Sequence, residues 1–262
     1  MNLEKIAAGI NGIVTDAGNY IRHERSGFSM QRVSEKSMNQ LVSDVDINAE
    51  KKLVEALHRL LPEAGFITEE NTSTIGRAKL NWIIDPLDGT TNFIHDVPVY
   101  SVSVALAEDN KILAGSVYEI GRDELFTAYS GGGAWCNGKP IRVSPENTLK
   151  NSLIATGFPY YDFQQMNEYI EVLKTLLKQT HGLRRMGSAA VDMAYVACGR
   201  FEGFFEYGLN AWDIAAGVLL VNEAGGNVVD FKGGDNYLFG KTIIAGNNAV
   251  EKNLQEIIDT YF

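Results

Sequence analysis

Apolar residues recur at Leu3, Ile6, Ala7, Ile10, Val14, Ala17 and Ile21, which predicts a helix over 2–24 with one buried face. The next stretch, "RSGFSMQRVSEKSMNQ" at 25–40, is polar and has no period, so it reads as a long loop. Helical spacing returns over 46–61 and stops before Pro62. From 65 to about 143 the pattern turns strand-like, with "GFIT", "NWIID", "YSVSVALAE" and "KILAGSVYEI" as β-rich runs and a clear alternation in the third. "SGGGAWCNGKPIRV" adds a Gly-rich turn and an Asn-Gly turn. Beyond it, strands ("SLIATGF", "GLRRM", "RFEGFFEYG", "NVVDF", "TIIAG") alternate with helices at 163–179, 188–199, 213–226 and 249–261. Mixed elements in both halves predict a layered α/β (α+β) architecture. The shift in pattern places a domain boundary near 145, giving an N-terminal unit 1–145 and a C-terminal unit 146–262.

A length of 262 residues suits one large domain or two that share an interface. The chain carries 23 Lys and Arg against 33 Asp and Glu, a net charge of −10. That balance lacks the electrostatic footprint of a nucleic-acid or anionic-membrane binder. An anionic substrate would therefore need local cations, and metal ions can supply them. Two distant cysteines, Cys136 and Cys198, suit a reducing compartment and not a disulfide framework. No 18-residue apolar run is present, and the N-terminus reads as an amphipathic helix, so the expected location is the cytoplasm.

Chemistry concentrates in "WIIDPLDGTTNF" at 82–93. Asp-Pro and Asp-Gly make turns by themselves. However, Asp85 ends an apolar run that would deliver its carboxylate to a sheet edge, and Asp88 follows three residues later. Two close carboxylates repel unless a cation joins them, and hard oxygen donors select Mg2+ or Mn2+ over zinc. Gly89, Thr90 and Thr91 then offer backbone N–H groups and hydroxyls suited to a phosphate. Further acids stand where elements end or begin: Glu69 and Glu70 in "GFITEE", Asp44 and Asp46 in "LVSDVD", and Asp213 in "NAWDIAAG". Asp44, Asp46 and Asp213 each read by default as helix caps, yet together these acids suffice for a two-metal site. The four histidines, His23, His58, His95 and His181, show no ligand spacing and read as solvent-facing or hydrogen-bonded in place. The Asp-x-Asp-Gly-Thr motif of haloacid-dehalogenase-type phosphatases does not fit, because the spacing here is Asp-x-x-Asp-Gly-Thr.

These motifs, with "GGGAWCNGKPIRVS" and "RRMGSAAVDMAYVACGRFEGFFE", resemble the inositol monophosphatase family of Mg2+-dependent, lithium-sensitive phosphatases along the whole chain. The resemblance implies an α-β-α-β-α sandwich of the inositol monophosphatase and fructose-1,6-bisphosphatase type, and a homodimer. It implies Glu69, Asp85 and the Leu87 carbonyl as ligands of a first Mg2+, and Asp85, Asp88 and Asp213 as ligands of a second. A third ion near Glu69 is part of the pattern, and Mn2+ can substitute. Thr90, bonded to Asp46, would orient the attacking water, with Glu69 beside them in the catalytic set. Asp88, Gly89, Thr90 and Asp213 would meet the phosphate end of the substrate, and Gly187, Ser188, Ala189 and Glu206 its alcohol end. Lys36 matches a lysine on the loop near the metals. Gln40 departs from the pattern, standing where the family has Asp, and this implies a weaker third site.

The implied reaction is hydrolysis of a phosphate monoester by in-line attack of water, without a phosphoenzyme. "GTTNF" rather than "GTKGF" favours the inositol phosphatase branch over 3′-phosphoadenosine phosphatases. That branch also holds enzymes acting on fructose 1,6-bisphosphate and on the 2′-phosphate of NADP. Arg184 and Arg185 suit either a second phosphate or packing against Glu206 or Asp192. A non-catalytic divalent-metal-binding module is the alternative from a different class.

Overall fold

The computed structural model describes residues 1–37, 40–159 and 163–262, and the side chains of these apart from 36, 37 and 40. Helices α1 (Leu3–Arg25) and α2 (Asp44–Leu60) carry the expected one-sided apolar stripes. α2 begins earlier than its periodicity predicts, because Ser43 caps it and its side chain accepts from the Val45 amide. The predicted loop between them is a correction. It holds a short 3-10 turn, Met30–Arg32, and a hairpin of β1 (Val33–Ser37) and β2 (Gln40–Ser43). Val33, Leu41 and Val42 pack towards the core, but in strands this short they leave too little alternation to read. Backbone pairing makes the ladder, and Arg32 ties its foot to Glu24 at 2.6 Å and Asp44 at 2.8 Å.

The first half builds a seven-stranded sheet from β3 (Gly65–Thr68), β4 (Leu80–Asp88), β5 (Ser101–Glu108), β6 (Lys111–Glu119), β7 (Glu124–Tyr129), β8 (Ala134–Cys136) and β9 (Lys139–Ile141). Its strands lie in sequence order, all antiparallel except the parallel pair β3/β4. Between β4 and β5 comes α3 (Thr90–Ile94). The second half contributes β10 (Leu153–Thr156), α4 (Met166–Gln179), β11 (Gly182–Arg184), α5 (Ala189–Ala197), β12 (Gly203–Tyr207) and α6 (Ala211–Glu223). It ends with β13 (Asn227–Val229), α7 (Tyr237–Gly240), β14 (Thr242–Gly246) and α8 (Asn248–Ile258). Its five strands run in the order β11-β10-β12-β14-β13.

Strand alternation sorts the interior into three cores. Trp82 and Ile84 of β4 and Val102, Val104 and Leu106 of β5 pack with α1 and α2. Ile83, Ala105 and Ala107, from the opposite faces of the same strands, pack with α5 and α6. Phe204 of β12 meets that middle core, whereas Phe205 faces α4 and α8 with Ile244. All nine residues of α5 are buried, as expected of a helix that is apolar all round. The layers are therefore helix, sheet, helix, sheet, helix, the mixed α/β arrangement that the sequence resemblance implies. Among the described residues, no helix is long and apolar enough to cross a membrane.

Candidate active site

Strands β3 and β4 run parallel with Thr68 opposite Ile84, so both deliver their C-terminal ends to one place. Glu69 and Asp85 follow directly there, and the Glu69 amide donates to the Ile84 carbonyl at 3.3 Å. Past Asp85 the β4/β5 ladder slips by one residue, from Asp85↔Ser103 to Asp88↔Ser101. Pro86 sits in this bulge, where a missing amide breaks no ladder bond. The Asp85 carboxylate accepts from the Leu87 amide at 3.0 Å, which closes the turn locally. Gly89 then takes φ +94, and a Cβ there would approach the Val99 carbonyl to 3.0 Å, so glycine is required where the chain turns into α3.

Glu69, Asp85, Leu87, Asp88, Gly89, Thr90 and Asp213 line one cavity, with Gly187, Ser188, Ala189 and Glu206 on its other wall. Asp46 lies outside the lining and reaches the cavity through Thr90, whose hydroxyl is 2.8 Å from Asp46 Oδ1 and 3.0 Å from the Leu87 carbonyl. The side chains of Lys36 and Gln40 lie outside the described part of the structure. Glu70 points its amide at Glu50 and does not line the cavity. Arg184 bonds its own strand at the Leu183 carbonyl, whereas Arg185 lines the cavity. All four histidines are exposed and none lines it.

The cap and cavity readings of these acids coexist. Asp46 and Asp213 stand at the third position of their helices, and Ser43 and Asn210 occupy the cap positions. The Asp46 carboxylate takes the Ser43 amide at 2.9 Å on Oδ2 and Thr90 on Oδ1. Asp213 takes the Asn210 amide at 2.6 Å. Asp88 anchors the start of α5, accepting from Ser188 Oγ at 2.6 Å and the Ala190 amide at 2.7 Å with one oxygen. Three helix starts are thus pinned to three acids around the cavity, and the helix dipoles favour negative charge there.

Electrostatics strain the cluster. Burial, then Glu69, Asp88 and Asp213, push Asp85 well above the usual carboxylate range. Burial raises Asp88 to about 6 against its bonds to Ser188 and α5, and Arg185 offsets part of the rise. Burial and the Asp88 charge raise Asp213 to about 7, with Asn210 and Lys241 acting the other way. Carboxylates this close and this buried ionise together only if a cation joins them. Among the described residues, no three His, Cys, Asp or Glu groups converge on one point as they stand. Asp85, Asp88 and Asp213 each hold one oxygen on a neighbouring amide, that of Leu87, Ala190 and Asn210 in turn. The donor set itself, acids and a carbonyl without histidine or thiol, fits a hard divalent cation such as Mg2+.

The places of two acids, Glu50 and Asp192, escaped the sequence reading. Glu50 is fully buried and accepts from the Glu70 amide, the Thr72 amide and the Thr72 hydroxyl at 2.7 to 2.8 Å, holding the loop after β3. Its signal was a carboxylate inside the apolar stripe of α2, four residues after Asp46. Asp192 lies within the buried α5 and lines the cavity.

The model of the inositol monophosphatase family matches residues 2–261. The chain is 44% identical over 237 residues to the Nus factor SuhB of Salmonella typhimurium, covering 90% of this chain and 89% of that protein. It is 41% identical over 228 residues to an inositol-1-monophosphatase of Mesorhizobium japonicum, covering 87% and 86%. The crystal structure of the extragenic suppressor protein suhB from Bartonella henselae superposes with a TM-score of 0.93 at 39% identity, covering 98% of this chain and all of that one.

Proposed function

The chain belongs to the inositol monophosphatase family, and on that premise we propose that it is a Mg2+-dependent phosphate monoester hydrolase acting on inositol 1-phosphate. The observation that carries this reading is four acids, Glu69, Asp85, Asp88 and Asp213, lining one cavity beside the Thr90–Asp46 bond. Glu69, Asp85 and the Leu87 carbonyl would hold one ion, and Asp85, Asp88 and Asp213 a second. Bound there, divalent ions would offset the phosphate charge and lower the pKa of the attacking water.

Thr90 has one hydroxyl hydrogen, and Asp46 and Leu87 stand ready to accept it. Its oxygen then keeps a lone pair to accept from water, which fixes the direction of attack. Asp46, buried and bonded to Ser43, holds that hydroxyl in place and can draw its proton. Gly89 and Thr90 would bind the phosphate through their amides, and Gly187, Ser188, Ala189 and Glu206 would face the alcohol. The names of the relatives divide between Nus factor and inositol-1-monophosphatase. The complete acid set, with Thr90 and Asp46 in contact, supports hydrolysis over a binding-only module in this chain. Family resemblance also supports a homodimer, which sedimentation equilibrium would test.

Phosphate release from myo-inositol 1-phosphate, fructose 1,6-bisphosphate, NADP and 3′-phosphoadenosine 5′-phosphate, ranked by kcat/KM, tests the substrate assignment. Inositol 1-phosphate is expected to lead. Preference for NADP or fructose 1,6-bisphosphate would move the chain to another branch of the family, and no release from any ester would favour the binding module.

A further inference from the structure

The alcohol side of the cavity carries a carboxylate with no assigned role. Asp192 is 1% exposed, lines the cavity, and its Oδ1 has no hydrogen-bond partner. A buried carboxylate oxygen left without a donor is costly, so a donor is expected to reach it when the cavity is filled. Its neighbours fix where that donor comes from. The Asp192 amide bonds the Ser188 carbonyl at 3.0 Å, one helical turn beyond the Ser188–Asp88 anchor. Asp192 and Glu206 line the same cavity and stand near enough for the charge of Glu206 to act on Asp192. The chain makes room for Glu206 by keeping Gly157, where any side chain would collide with the Glu206 carboxylate. Burial and the neighbouring acids push Asp192 and Glu206 well above the usual carboxylate range; Arg185 acts against both rises, and its guanidinium lies 5.9 Å from the ring centre of Phe158, which also lines the cavity.

Resting on the phosphatase reading above, we infer that Asp192 is a substrate-selecting residue, which pairs with Glu206 to accept hydroxyl hydrogens from the alcohol part of a polyol phosphate. A polyol supplies several O–H donors without adding charge. An ester whose alcohol lacks hydroxyls leaves Asp192 Oδ1 without a donor, and the site discriminates against it for that reason.

The test compares kcat/KM on myo-inositol 1-phosphate and on phenyl phosphate, for wild type, Asp192→Ala and Asp192→Asn. Leaving a substrate hydroxyl without its buried acceptor supports a drop of about 10- to 100-fold in the inositol-to-phenyl ratio for Asp192→Ala. The isosteric Asp192→Asn keeps an acceptor oxygen and is expected to recover part of the ratio, and it guards against loss of fold. Equal losses on both esters in both variants would mark Asp192 as structural and overturn the inference, as would an unchanged ratio. Should wild type hydrolyse neither ester, the phosphatase reading fails by itself. Tryptophan fluorescence titrations with the same two esters, in buffer containing Ca2+, then decide the inference through the ratio of Kd values.

Discussion

At the residue scale, single carboxylates near the cavity serve two partners. Asp46 divides its oxygens between the start of α2 and Thr90. Thr90→Val keeps the shape and removes the hydroxyl, so kcat on the preferred ester is expected to fall about 100- to 10,000-fold with KM changed little. Because Thr90 and Asp46 act as one unit, Asp46→Asn should cost a similar factor, and the double variant should be little worse than either. Fully multiplicative losses in steady-state kinetics would separate the two roles. Glu119 gives a residue-scale test away from the cavity. Burial raises its pKa, against bonds from the amides of Arg122 and Gly121. The folded state therefore binds this proton more tightly than the unfolded one, and the stability so gained is complete below the ordinary glutamate value and lost as pH rises through the raised one. The Tm advantage of wild type over Glu119→Gln should shrink as pH rises from about 4, and an advantage that grows with pH would refute the assignment.

At the element scale, function depends on helix starts and on one loop. Glu50, on α2, holds residues 70 and 72 behind Glu69. Glu50→Gln keeps one acceptor and loses the other, so it should destabilise by about 1–3 kcal/mol and raise the Mg2+ concentration that gives half-maximal rate. Unchanged metal dependence at a lowered Tm would confine Glu50 to stability. Most elements were legible because their faces differ. The stripes of α1 and α2 and the alternation of β5 each expose one side and bury the other, or fill two different cores. The β1–β2 hairpin was not legible, since its apolar residues Val33, Leu41 and Val42 are too few to set a period in a polar stretch and its strands are joined by backbone bonds. β7 was missed for a related reason: only Phe126 and Ala128 of its six residues are buried, too short a signal beside a turn-rich stretch. Asp85, Asp88, Glu69 and Asp213 could be read as a set because each ends or begins an element. Asp192 could not, because a lone acid within "SAAVDMAYVACG" has no spacing that reveals which wall it faces.

At the scale of the molecule, α5 and α6 form a middle layer shared by both sheets. The core around them joins Ile83 and Phe126 from the first sheet to Phe204 and Ile243 from the second. We propose the chain division near 145, in the stretch between β9 and β10, as a boundary of organisation and not of stability. Scanning calorimetry should then give one cooperative transition, and two separated transitions would contradict a shared core. The same layer carries the cavity: α5 and α6 bring Ser188, Asp192 and Asp213 to the acids at the ends of β3 and β4. Neither half holds the whole set.

We propose that the four acids hold divalent ions for phosphate hydrolysis. Phosphate release from myo-inositol 1-phosphate against Mg2+ concentration, for wild type and Asp85→Asn side by side, tests it most directly. Wild type is expected to show saturable dependence on Mg2+ and to stop on chelation. Asp85→Asn is expected to lose at least about 1,000-fold, with its circular dichroism unchanged. Release that persists under chelation, or an Asp85→Asn protein that turns over like wild type, would contradict the account.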